Sequence, residues 1–219
     1  MWNSQVIMML LEGIRDTLYM TLASTLFGYI IGLPMGIVLT VTDKDGIRPN
    51  AAVYKVLDVI SNLLRSIPFI ILLIVLIPFT RFVVGRSYGS TATIVPLTIA
   101  AAPYIARMVE SSLKEVDAGV IEAARSMGAS DFQIVTKVML VEARTSLIVG
   151  ATISLGTILG YSAMAGTVGG GGLGDIAIRY GYTRWQTDIM VVTVVLLVIL
   201  FQIFQTIGMK IANRLDRRK

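Results

Sequence analysis

Five stretches of this chain, 17–42, 66–80, 87–106, 145–174 and 189–209, contain no Asp, Glu, Lys or Arg. A helix that crosses a bilayer needs about 20 mainly apolar residues. In lipid, only helices and closed barrels satisfy their own backbone hydrogen bonds. The sequence therefore predicts an all-α integral membrane protein with five transmembrane helices, near 17–41, 56–80, 91–109, 145–167 and 189–209. Of 219 residues, 55% are hydrophobic and 15% charged. That leaves no length for a separate soluble domain, so 1–219 reads as a single transmembrane domain with one long polar loop, 110–144.

The basic residues orient it. With the N-terminus outside, the cytoplasmic segments hold Lys44, Arg48, Lys55, Arg65, Arg107, Lys114, Arg125, Lys137, Arg144, Lys210, Arg214, Arg217, Arg218 and Lys219. The other side holds Arg15, Arg81, Arg86, Arg179 and Arg184. This asymmetry is the positive-inside pattern and puts the C-terminus and the 110–144 loop in the cytoplasm. The net charge of +5 flanks apolar segments, so it reads as membrane-side charge and not as a nucleic-acid surface. Residues 1–12 lack the basic start and the A-x-A site of a cleaved signal.

Absent residues narrow the chemistry. No Cys and no His occur, which excludes disulfides, thiolate metal sites and His-based catalysis. Ionisable groups inside spans mark proton relays, and the five apolar cores have none. That argues against a proton relay or redox pump and leaves sodium coupling through backbone carbonyls open. Gly169, Gly171 and Gly174 match G-x-G-x-x-G by letter, but an apolar span precedes them where a nucleotide site needs a strand. No Gly-Lys-Ser/Thr occurs either, so this chain is not expected to bind ATP. Gly166 to Gly174 reads instead as a tight, mobile outer turn, and Asp175, Arg179, Arg184 and Asp188 as solvated charge near it. Glu110 and Glu115, beside Lys114, read as loop charge.

The polar loop has an internal order. Asp117 is a candidate N-cap, and Val120, Ala124 and Met127 fall on one face of the helix it starts. Glu122 and Arg125 are spaced to pair. Gly128 suits the left-handed position that ends a helix, and Ser130 with Gln133 forms a capping box for the next. Helix, sharp turn, helix is a rigid lever suited to docking a soluble partner, with small residues at Ala123 and Ala124 for close seating. In the first span Gly28, Gly32 and Gly36 form a small-residue face for another helix, and Pro34 predicts a kink. In the fourth, Tyr161, Ser162 and Met164 are candidates for the translocation path or its gate, because they bring mildly polar or adaptable groups into an apolar helix.

The stretch Glu122-Ala123-Ala124, three residues, Gly128, nine residues, Val138-Met139-Leu140-Val141 resembles the EAA loop of ABC importer permeases, with Val141 where that family has Pro. Arg65–Ile70, Ile94–Leu97, Ala102–Glu110 and Gly160–Met164 look like the methionine-uptake permease family, and the resemblance covers essentially the whole chain. It implies a type I ABC importer permease in the bacterial inner membrane, with coupling through Asp117, Glu122, Ala123, Ala124, Arg125 and Gly128. It implies a permease homodimer, two cytoplasmic ATPase subunits that bind ATP and Mg, a lipid-anchored extracytoplasmic binding protein, and methionine or a related amino acid as substrate. It implies no cofactor in this chain and no enzymatic activity of its own. An ABC permease for another solute, and an ATP-independent channel or structural membrane subunit, are the alternatives.

Overall fold

In the computed structural model, which describes residues 4–216, the chain folds into helices and turns, with no strand among the described residues. The first helix, α1 (Ser4–Thr42), begins well before the expected Thr17. The apolar run Val6–Leu11 continues it, and Leu10 is buried in a small cluster with Leu173, Ile176 and Ile189. At about 1.5 Å per residue, a helix of 39 residues is nearly twice as long as a bilayer core is thick, so its ends project. It runs unbroken through Pro34.

The second expected span is not one straight helix. Amphipathic α2 (Ala51–Ser66) is bent by 102° from α3 (Phe69–Val75), and α4 (Ile77–Val84) follows a further break at Leu76. Proline accounts for both breaks. Pro68 offers no N–H and pushes Ile67 into extended backbone (φ −80, ψ 124), and Pro78 sits in the first turn of α4. Four helical stretches are long and apolar enough to cross a membrane: α1, α5 (Ser90–Lys114), 144–182 and α11 (Thr187–Leu215). The bent pair makes a fifth when it is taken as one span.

Among the long helices α5 is the most buried, and it packs along α1. Gly28, Gly32 and Gly36 form the seam as expected. A Cβ on Gly32 would lie 2.6 Å from the Ala102 carbonyl oxygen, and one on Gly36 would lie 2.5 Å from that of Ala106. The backbones are closer than any side chain allows.

Short helix α6 (Ala118–Ser126) leaves α5 and leads to α7 (Asp131–Gln133), a π-helical turn Ile134–Met139, α8 (Leu140–Glu142) and the central helix α9 (Arg144–Ala165). The glycine segment then reverses the chain into α10 (Gly172–Ile176) and a second π-helical turn, Ala177–Tyr182, before α11. This turn is tight, as expected, but it is held within the bundle. Gly89 N–H donates to Gly169 O (2.9 Å), Thr93 Oγ1 to Gly170 O (3.3 Å) and Leu173 N–H to Thr17 Oγ1 (2.9 Å). Gly166 and Gly174 pack backbone to backbone, where any side chain would overlap. A main core around Ile105, Val109, Ile134 and Ile158 joins α5, the π turn and α9.

Candidate functional site

Asp117 caps α6, its carboxylate accepting from Gly119 N–H at 2.7 Å. Gly128 closes it at φ +83, and Ala129 N–H returns to Ala124 O (3.1 Å), a Schellman-type end. Ser130 and Gln133 form the reciprocal capping box. The helix, turn, helix order read from the loop is therefore present with its caps.

The faces of α6 differ from expectation. Ala124 is buried against the core of its own chain, whereas Val120 and Met127 are exposed, Met127 at 82%. Ala123 and Glu122 are exposed as well. Glu122 and Arg125 do not pair. Arg125 donates to Ile47 O (2.9 Å) and faces Asp131 (3.8 Å), which leaves Glu122 without a charged partner among the described residues. Through its bond to Ile47 O, the exposed Arg125 ties α6 to the α1–α2 connection. Between them lies an open cleft of about 600 Å³ bordered by Asp43, Ile47, Lys114 and Glu122.

The three path candidates separate. Tyr161 stacks on Phe69, ring centroids 4.6 Å apart. Ser162 is buried and donates to Leu159 O within its own helix (2.7 Å). Met164 is 51% exposed and shares the open face of α9 with Ile153 and Gly160. These positions, with Thr157 between them, recur at helical spacing along a helix whose other faces are covered. After the glycine turn, Asp175 pairs with Arg179 (2.8 Å) and Arg184 lies over the Tyr180 ring (4.6 Å), so these three charges are engaged within the chain and are not simply solvated.

One cluster escaped the sequence reading. Glu110 is not loop charge. It lies within α5, its side chain 5% exposed, and accepts from Arg107 Nη1 (2.7 Å), Lys114 Nζ (2.8 Å) and Tyr54 Oη (3.3 Å). Arg107 also pairs with Asp58 of α2 and bonds Asn62 Oδ1 (3.1 Å), and Lys114 bridges to Asp43 (2.7 Å). The signal was present: Arg107, Glu110 and Lys114 stand three and four apart on the end of an apolar helix, the spacing of mutual ion pairs. No cluster suited to a metal ion occurs among the described residues.

A bundle of long apolar helices that offers a capped, outward-facing short helix between two spans has the build of a membrane permease worked by a partner. The chain belongs to the family described as the binding-protein-dependent transport system inner membrane component, which matches residues 16–219. This makes it a multi-pass inner-membrane protein. It is 48% identical over 210 residues to the probable D-methionine transport system permease protein MetI of Vibrio cholerae, covering 96% of this chain and 93% of that one. With the D-methionine transport system permease protein MetI of Escherichia coli K12 it shares 54% identity over 158 residues, 72% of this chain and 73% of the relative. Among solved structures, it is similar to a chain of the MetNI methionine ABC transporter in an inward-facing form, with a TM-score of 0.97 and 50% identity over 99% of this chain and 100% of that one. An amino acid ABC transporter solved with histidines shares the fold at a TM-score of 0.78 and 19% identity, over 96% of this chain and 95% of that one.

Proposed function

We infer that this chain is the permease subunit of an ATP-driven ABC importer that carries methionine or a related amino acid inward by alternating access. Its relatives carry the methionine name at about half identity over most of the chain. The observation that carries the mechanism is the outward face of α6, where Glu122, Ala123 and Met127 stand free on a helix fixed at both ends by Asp117 and Gly128. This is the surface for a separate cytoplasmic ATPase, which binds ATP and Mg. Asp117, Ala124, Arg125 and Gly128 hold the lever, and Glu122 and Ala123 touch the partner. An extracytoplasmic binding protein, lipid-anchored, delivers the substrate.

Two copies complete the path. The open stripe of α9, Ile153, Thr157, Gly160 and Met164, is the face for the second permease, since five spans are too few to surround a pathway alone. Met164 then meets its symmetry mate as the gate, backed by Tyr161. The basic residues place the N-terminus outside and the C-terminus in the cytoplasm. ATP-driven closure of the ATPases moves α6 and reorients the spans, and substrate shifts the same equilibrium.

The test is uptake into vesicles holding the permease, its ATPase and its binding protein, with ATP inside and competing amino acids, including both methionine isomers, outside. ATP-dependent uptake blocked best by methionine is expected. Flux without the ATPase would instead establish a channel, and uptake of another solute would replace the substrate. Met164→Ala is expected to raise leak or ATP use per solute; unchanged values of both remove it as the gate.

A further inference from the structure

Between the docking loop and the aromatic stack on α9 lies the charge cluster of α5 and α2. α6 departs from α5 directly after Lys114 and Glu115. Lys114 holds Asp43 (2.7 Å) and Glu110 (2.8 Å); Glu110 holds Arg107 (2.7 Å); Arg107 holds Asp58 and Asn62 of α2. The α2 helix then passes through the Ile67–Pro68 bend directly into Phe69, whose ring lies flat on Tyr161. Two of these links, Lys114–Glu110 and Glu110–Arg107, run along α5 itself; Arg107–Asp58 crosses to α2, the chain carries α2 into Phe69, and the ring stack crosses to α9, so the sequence is continuous from the base of α6 to α9.

The cluster's burial sets its mechanical character. Glu110 is 5% exposed and Arg107 is 16% exposed at their side chains. A buried charge that loses its partner is left uncompensated, which costs far more than parting an exposed pair. The Arg107–Glu110–Asp58 junction therefore resists opening, whereas the apolar face of α2 does little to hold it: Ser61 is the only fully buried side chain in that helix. The other polar link from α2 to α5 is Tyr54 Oη to Glu110, at 3.3 Å.

We propose that Arg107 is a positioning residue for transport: by clamping Asp58 of α2 to Glu110 of α5, it makes the two helices move as one body, so that displacement of α6 reaches the Phe69–Tyr161 stack. This rests on the importer reading above, in which α6 is the driven element. Arg107 has Asp58, Asn62 and Glu110 as its side-chain partners within the chain. It acts by keeping a bent helix in step with the helix that feeds the docking loop, and its loss lets α5 move while α2 and Phe69 lag behind.

Spatial continuity alone does not establish coupling, so the test measures coupling. Arg107→Gln, Asp58→Asn and the double variant are assembled with the ATPase and binding protein in vesicles. Solute imported per ATP hydrolysed is measured per assembled complex. A purely structural role lowers the amount of complex but leaves that ratio unchanged. The expected result is hydrolysis maintained in assembled complexes while the ratio falls at least about fivefold, the lower end of coupling between sites. The double variant should be no worse than Arg107→Gln alone, because both remove the same link. An unchanged ratio overturns the proposal, and so do single effects that multiply in the double variant. If Arg107→Gln does not assemble, Asp58→Asn decides by the same ratio, since it leaves the Arg107–Glu110 contact in place. An unmodified complex that shows no ATP-driven uptake would instead defeat the importer reading, a separate outcome visible in the control.

Discussion

The Phe69 and Tyr161 rings lie parallel, 4° apart in plane and 4.6 Å between centroids, joining the segment after the Pro68 bend to the C-terminal part of α9. Such a pair contributes roughly 0.5–1.5 kcal/mol beyond the area it buries. Tyr161→Phe keeps the ring and is expected to leave thermal stability and uptake near normal. Tyr161→Ala and Phe69→Ala should each lower the melting temperature of the purified chain, and the double variant should cost less than their sum. Additive losses in that cycle would show that the rings do not act together.

Gly32 has the Ala102 carbonyl oxygen and the Ile105 side chain where its Cβ would be, at 2.6 and 2.9 Å. Backbone is the nearer obstacle and cannot rotate away. Gly32→Val is expected to push α1 from α5 and destabilise the bundle by about 1–3 kcal/mol, the usual cost of overpacking. Gly32→Ala should fall between Val and the native residue. Unfolding in detergent, followed by protease sensitivity, measures the order; a Val variant as stable as the native chain would exclude a tight seam.

At Gly128 the backbone is left-handed, φ +83, with no atom within 4 Å of an added Cβ. The cost of a side chain there is conformational, about 1–2 kcal/mol for most residues and less for Asn. Gly128→Val should loosen the exit angle of α6 and lower solute imported per ATP, with Gly128→Asn closer to normal. Gly128→Pro should abolish coupling. Full uptake by the Pro variant would remove α6 from the transport cycle.

Asp43 lies in the α1–α2 connection, outside the spanning helices. The Lys114 ammonium that donates to it holds its carboxyl below the usual carboxylate range; partial burial opposes this, and the Lys44 backbone N–H adds to the lowering. A carboxyl with a depressed folded-state pKa stabilises the fold above its unfolded value, and that contribution is lost as pH falls through the folded value. The Asp43–Lys114 contribution is therefore complete at neutral pH and fades only below about pH 4. Asp43→Asn should melt below the native chain at pH 7, with the gap closing under pH 4. A gap of constant size across that range would show that the contact carries no stability.

Much of the fold was legible because the membrane simplifies it. Charge-free runs mark spans, and the loop's capping residues, Asp117, Gly128, Ser130 and Gln133, act on backbone groups within a few positions of themselves. Local rules are sufficient there. The breaks at Ile67 and Leu76 were also written in Pro68 and Pro78, yet Pro34, Pro96 and Pro103 lie inside continuous helices. Whether a proline breaks a helix depends on whether neighbouring groups satisfy the freed carbonyl, and neighbours are not local.

The site divides along the same line. Arg125 faces Ile47, 78 positions away, and not Glu122, three away. Glu110 looked like surface charge because its partner helix α2 could not be placed against α5 from sequence. Ser162 was grouped with Tyr161 and Met164 by side-chain character within one span, although nearby helical residues point in different directions and Ser162 faces the bundle while Met164 does not.

By itself the sequence determined that this chain crosses a membrane by helices and where a capped short helix interrupts the spans. Solvent preference and backbone hydrogen bonding act residue by residue and do not need the partner helices in place. Only the tertiary structure decided which carbonyl Arg125 takes, that Ala124 faces inward while Ala123 faces out, and that Asp58, Arg107 and Glu110 meet. Those outcomes depend on how closely α1, α2 and α5 approach, which is set by glycine seams and a proline bend acting together across the bundle.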